Sequence, residues 1–213
     1  MAALTRLLPV GRQAPPVEWG LAERCRPGGT ESGDRHVVQP SAAGVLLAAV
    51  DGLGHGEQAA VAARLATAIL EEHADEPVAA LVERCHAALA RTRGVVMTLA
   101  SLSARDLTMS WLGVGNVAGV LARADAGGGA QQELLLLRGG VVGQKLPHLQ
   151  PALLTTAAGD TLLLATDGVR SDFADSLAPG LSPQQLADRI LARHGKDTDD
   201  ALVLVARVHG DVR

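Results

Sequence analysis

The chain has 213 residues with a formal net charge of −4, a length that suits one large domain or two small ones. Hydrophobic residues make up 47% and aromatics only 1%, so a core must be built from Ala, Val and Leu. The arginines are scattered, which excludes the basic stripe of a nucleic-acid binder.

Residues 1–16 read as a leader, with Pro9, Gly11, Pro15 and Pro16. Leu7-Leu8-Pro9-Val10 within it is too short for a signal-peptide core. The longest apolar runs, 42–50 and 134–137, fall well short of the ~20 residues needed to span a bilayer. Cys25 and Cys85 lie far apart with no Cys-x-x-Cys, as expected of reduced thiols in a cytoplasmic protein. A monomer is expected.

A first strand is predicted over 17–25, and Arg26-Pro27-Gly28-Gly29 turns the chain. A short strand at 36–38 and a fully apolar one at 45–50 follow. Gly56 opens a helix over 57–73, where Val61, Leu65 and Ile69 recur at i+4 and form the expected apolar stripe. Pro77 fits the first turn of a second helix, with Val78, Leu81, Val82, Cys85 and Leu89 on one face and Gly94 past its end. Strands are predicted at 95–102, 106–112, 117–123, 132–137, 151–155 and 161–166, with a hairpin tip over 124–130. Ser182, Pro183 and Gln185 start a third helix that Gly195 ends, and His194 at its end reads as a surface or capping residue. A last strand covers 201–208, leaving 209–213 as a tail. Strands in blocks with helices in a pair point to one α+β domain over 17–208, antiparallel rather than doubly wound.

Asp51 ends the apolar run 45–50 and is followed by Gly52. A carboxylate at the end of a buried strand is costly unless something positive meets it. No Lys or Arg lies in the turn that follows, so a bound cation is its natural partner. Three further aspartates share the setting. Asp167 ends Leu162-Leu163-Leu164-Ala165-Thr166, Asp199-Asp200 precedes the last strand, and Asp34 leads into the strand at 36–38. Any one Asp-Gly pair is a turn signal. Together, on apolar strands, these positions offer oxygen-only ligation that suits Mg²⁺ or Mn²⁺. Two such ions can clamp a phosphoryl group for in-line attack.

The blocks Asp51-Gly52-Leu53-Gly54-His55-Gly56, Ala165-Thr166-Asp167-Gly168 and Asp199-Asp200 resemble signatures of the metal-dependent PPM/PP2C protein phosphatases. Ser32-Gly33-Asp34, Gly113-Val114-Gly115-Asn116 and Gly139-Gly140-Val141-Val142-Gly143 match further blocks. The similarity is greatest to the SpoIIE-like branch and its single-domain RsbX-type members. This resemblance implies an αββα sandwich of two antiparallel sheets flanked by helices, with two Mn²⁺ or Mg²⁺ ions at one end. It implies that Asp51 bridges both ions and the Gly52 carbonyl ligates one. Asp167 and Asp199 would hold the first ion, and Asp34 the second, directly or through water. Asp51, Asp167 and Asp199 would thereby carry catalysis, a bridging hydroxide attacking phosphoserine or phosphothreonine. An RsbX-like member would act on phosphorylated STAS-domain proteins of a bacterial stress or sigma-factor pathway. Two departures stand out. Leu53 replaces the His that eukaryotic members carry after Asp-Gly, which leaves the general acid open, with His55 two residues on. None of Arg24, Arg26 and Arg35 sits in the motif that holds phosphate. These departures admit a pseudo-phosphatase that binds a phosphoprotein without turnover, or a phosphoesterase for small esters, as alternatives.

Overall fold

Two sheets form the centre of the molecule, and their strands explain the long apolar runs. The computed structural model describes residues 17–124, 131–178 and 180–209. The leader, most of the tail and residues 125–130 of the expected hairpin tip lie outside the described residues. Sheet one comprises β2 (Asp34–Pro40), β3 (Gly44–Gly52), β4 (Val95–Ser103), β5 (Thr108–Val114) and β8 (Ala152–Thr155), in that order. Sheet two has the order β1 (Val17–Arg24), β10 (Ala201–Val208), β9 (Thr161–Ala165), β6 (Ala118–Ala122) and β7 (Gln132–Leu134). Every pair within the two sheets is antiparallel.

Alternation along each strand divides the core into three layers. From β3, Leu46, Ala48 and Val50 meet helices α1 (Glu57–Glu72) and α2 (Val78–Leu89), while Val45, Leu47 and Ala49 meet the other sheet. From β10, Leu202 and Leu204 join that central layer, while Val203 and Val205 meet α3 (Pro183–His194). Strands covered on both faces read as continuous apolar runs instead of alternating ones. Trp111 packs in the central layer. This is the antiparallel α+β class expected from the element order and the αββα sandwich that the family resemblance implies.

Four local features differ from the sequence reading. Strand β2 is longer than 36–38 because its register with β3 runs from Asp34 to Pro40. Strand β7 stops at Leu134, although the apolar run continues. Beyond it Arg138 bridges Val114 of the other sheet, and the side chains of Leu135 and Leu137 lie against Gly113. On α1, Val61 and Leu65 are 43% and 37% exposed, and the buried face is Ala59, Ala60, Ala62, Ala63, Ala66 and Leu70. Small side chains win that face because α1 lies so near β3 that a Cβ on Gly52 would stand 2.1 Å from the Ala59 carbonyl oxygen. His194 is not a surface residue. It is buried, with Nε2 2.6 Å from Ser176 Oγ and Nδ1 2.9 Å from Asp172 Oδ1, and so ties α3 to a 3-10 helix at Ser171–Ser176.

Helix α3 carries the capping box read from Ser182 and Gln185. It docks on β1 through Gln184, whose amide nitrogen donates to the Leu21 carbonyl and whose amide oxygen accepts from the Leu21 N–H. Gly20 makes this approach possible, since a Cβ there would stand 2.3 Å from the Gln184 backbone. Gly20→Val should therefore lower stability by about 2–3 kcal/mol. A reduced urea midpoint at unchanged m value would show it.

Candidate metal centre

The four aspartates reach one place because antiparallel pairing puts one strand's end beside its neighbour's start. Asp34 begins β2 and Asp51 lies next to the last residue of β3, and the register sets them directly opposite each other. In the other sheet Ala165 at the end of β9 pairs with Val203 near the start of β10. That pairing brings the segments carrying Asp167 and Asp199 together. Asp34, Asp51, Asp167, Asp199 and Asp200 all line a single cleft of about 640 Å³. Gly52, by contrast, is buried and does not line it.

Hydrogen bonds between the sheets hold the rim. The Thr166 hydroxyl donates to Asp34 Oδ2 at 2.7 Å and accepts from the Leu202 N–H at 2.9 Å. Asp200 is buried and accepts from the Arg26 and Gly33 backbone N–H groups, each at 2.8 Å. Asp200 thus ties both ends of the β1–β2 loop, which leads into Asp34, to the start of β10. Gly168 lets the Asp167 turn lie against the start of β10, since a Cβ there would stand 1.8 Å from the Asp200 carbonyl oxygen.

The carboxylates of the cleft repel one another. Burial pushes the Asp34 carboxyl up from 3.8 to about 7; the Thr166 hydroxyl opposes this, and the charges of Asp200, Asp167 and Asp199 add to it. Asp51 is pushed up to about 8 by burial first and then by Asp34, Asp167, Asp199 and Asp200. Among the described residues no protein donor hydrogen-bonds the Asp51 side chain, and no three His, Cys, Asp or Glu side chains form a ready-made metal cage. The carboxylates thus raise one another's proton affinity without closing around a point. The donors are all oxygens, which fits Mg²⁺ or Mn²⁺ and not zinc.

Two neighbours of Asp167 escaped the sequence reading of single residues. Asn116 donates from Nδ2 to Asp167 Oδ2 at 2.8 Å, and Lys196 donates from Nζ to the Asp167 carbonyl. Asn116 lay within a matching block, whereas Lys196 had no motif to mark it. Of the three arginines considered, only Arg26 lines the cleft. Arg24 pairs with Asp197 and Arg35 with Glu31. His55 and Leu53 also line it.

A family model, Stage II sporulation protein E (SpoIIE), matches residues 41–209. The chain belongs to the SpoIIE family. Phosphoserine phosphatase RsbX of Bacillus subtilis (strain 168) is 22% identical over 177 residues, which is 83% of this chain and 87% of that protein. The structure of RsbX in complex with magnesium superposes with a TM-score of 0.81 at 20% identity, over 90% of this chain and 95% of that one. A chain solved for the bacterial stressosome, a modular system adapted to control secondary messenger signaling, is 30% identical. Its TM-score is 0.82, over 90% of this chain and 99% of that one. The PP2C phosphatase domain of SpoIIE from Bacillus subtilis gives a TM-score of 0.70 at 22% identity, over 92% of this chain and 64% of that one. The SpoIIE-family chain described here therefore has the PP2C fold. No helix among its described residues is long and apolar enough to cross a membrane.

In this SpoIIE-family chain Asp34 and Asp51 bind protons more tightly folded than unfolded. Raising the pH from about 4 to about 8 in chelator therefore favours the unfolded state. The melting temperature should fall across that window, and Asp51→Asn should raise it at pH 8 and flatten the slope. Mn²⁺ should stabilise the wild type more at pH 8 than at pH 5, since ligands must be deprotonated. Differential scanning fluorimetry over this range measures all three.

Proposed function

We propose that this chain is a Mn²⁺- or Mg²⁺-dependent serine/threonine protein phosphatase. The observation that carries the reading is the set of carboxylates from both sheets that share one cleft with no cationic partner on Asp51. Support comes from its relatives, since RsbX is a phosphoserine phosphatase and has been solved with magnesium. Asp51 would be shared by two ions, Asp167 and Asp199 would hold one, and Asp34 would hold the other directly or through water. In this assignment the carbonyl of Gly52, a buried residue next to Asp51, would be the remaining ligand. Bound there, the ions would supply an acidified water and neutralise charge on the phosphoryl group.

The protein's own groups do the rest. Asn116 orients the Asp167 carboxylate, and Thr166 holds Asp34 in place. Arg26 is the guanidinium at the cleft and would hold phosphate oxygens. His55, exposed at the same cleft, would give a proton to the departing seryl or threonyl oxygen. The substrates would be phosphorylated STAS-domain proteins of a cytoplasmic stress or sigma-factor pathway. A chain solved for the bacterial stressosome, 30% identical to this one, supports the stress-pathway setting.

Hydrolysis of p-nitrophenyl phosphate should need Mn²⁺ or Mg²⁺ and stop in EDTA. Asp51→Asn should lower kcat about a thousandfold. Arg26→Ala should act mainly on KM, raising it about tenfold. Turnover that survives EDTA would overturn the metal-dependent reading. A phospho-STAS protein should be a better substrate than small phosphate esters, and equal rates would overturn the substrate class.

A further inference from the structure

Glycines normally stand where a side chain would clash or where φ is positive. Among the described glycines without a positive φ, Gly139 alone stands in open space. A Cβ built on it has no atom within 4 Å, and its φ is not in the left-handed region. Other glycines of the cleft are accounted for. Gly54 and Gly115 have φ of 89° and 96°, and a Cβ on Gly140 would stand 2.7 Å from Pro147 Cδ. Gly139 is exposed and lines the cleft beside Asp51 and Asp167. Among the described residues neither the Gly139 nor the Gly140 N–H meets a backbone acceptor. The segment is nonetheless held firmly on both sides. The Arg138 carbonyl accepts from the Gly115 N–H at 2.9 Å, and the Val141 N–H donates to Lys145 at 2.8 Å. A bare, anchored stretch of backbone with two open donors is suited to close approach by another backbone.

We infer that Gly139–Gly140 is the wall of the cleft that receives the polypeptide beside the phosphorylated residue, its N–H groups donating to substrate carbonyls. The inference rests on the phosphatase reading and adds to it a site for main chain. Such a site favours a protein over a small ester whatever side chains flank the phosphate. A side chain at 139 would fill the space that the substrate backbone needs, while leaving the protein's own packing untouched.

The test uses fluorescence anisotropy in Mn²⁺. The probe is a fluorescein-labelled peptide with the non-hydrolysable phosphonate isostere of phosphoserine between alanines. The free isostere serves as competitor and reports on the phosphate position alone. Gly139→Val should weaken peptide binding about tenfold and Gly139→Ala less. The competition constant of the free isostere should change by less than about twofold, at unchanged melting temperature. Equal losses for peptide and free isostere would overturn the inference, as would unchanged peptide binding in both variants. A wild type that binds the peptide no better than the free isostere would do the same. A wild type that fails to hydrolyse p-nitrophenyl phosphate would remove the phosphatase reading instead, and the binding ratio would still decide the role of Gly139.

Discussion

Carboxylates crowded into one cleft are the constraint around which this molecule is built. Asp34 and Asp51 face each other across one sheet and meet Asp167, Asp199 and Asp200 from the other. Burial and mutual repulsion drive both Asp34 and Asp51 toward the protonated form. Such a cluster persists only if the rest of the fold over-determines its geometry. Here the price is met by two apolar sheets with helices on their outer faces. Local bonds from Thr166 and to Asp200 then stitch the sheet ends together.

The packing follows from how near the layers must come. Ala, Val and Leu fill the three-layer core, and the glycines sit where backbones almost touch. Gly168 abuts the Asp200 carbonyl, Gly52 abuts α1, and Gly20 abuts the start of α3. Each contact lies at or close to an element that carries an aspartate or anchors its strand. Protein interiors transmit small displacements because they are close-packed. Changes at these glycines would therefore reach the cleft.

The cleft itself divides into unlike surfaces. One wall is acidic and suited to cations. Arg26 and His55 bring cationic or proton-donating groups, and Gly139–Gly140 adds a stretch of bare backbone. A phosphorylated chain presents the matching features: a dianionic group, an oxygen that must leave protonated, and main-chain carbonyls on either side. The exposed Val61 and Leu65 on α1 lie away from this cleft's lining, so of the apolar stripe read there only Ile69 packs against the core.

Much of this was legible in the chain itself. Apolar runs that end in aspartate marked the strands and the acidic positions, because a buried strand shows in composition and a carboxylate at its end demands a partner. The α+β class followed from the order of strands and helices, and the α3 capping box from Ser182 and Gln185. Periodicity failed on α1, where it rates Val61 and Leu65 above alanine and has no knowledge that β3 comes too close for larger residues. The surface or capping reading of His194 failed because its partners Asp172 and Ser176 lie on a different element. The chain by itself determined which residues are acidic, which strands are buried and where the helices begin. Only the tertiary structure decided that Asn116 holds Asp167, that Thr166 reaches Asp34 and that Arg26 alone of three arginines faces the cleft. Those are contacts between residues distant in sequence, and sheet register, not local pattern, sets them.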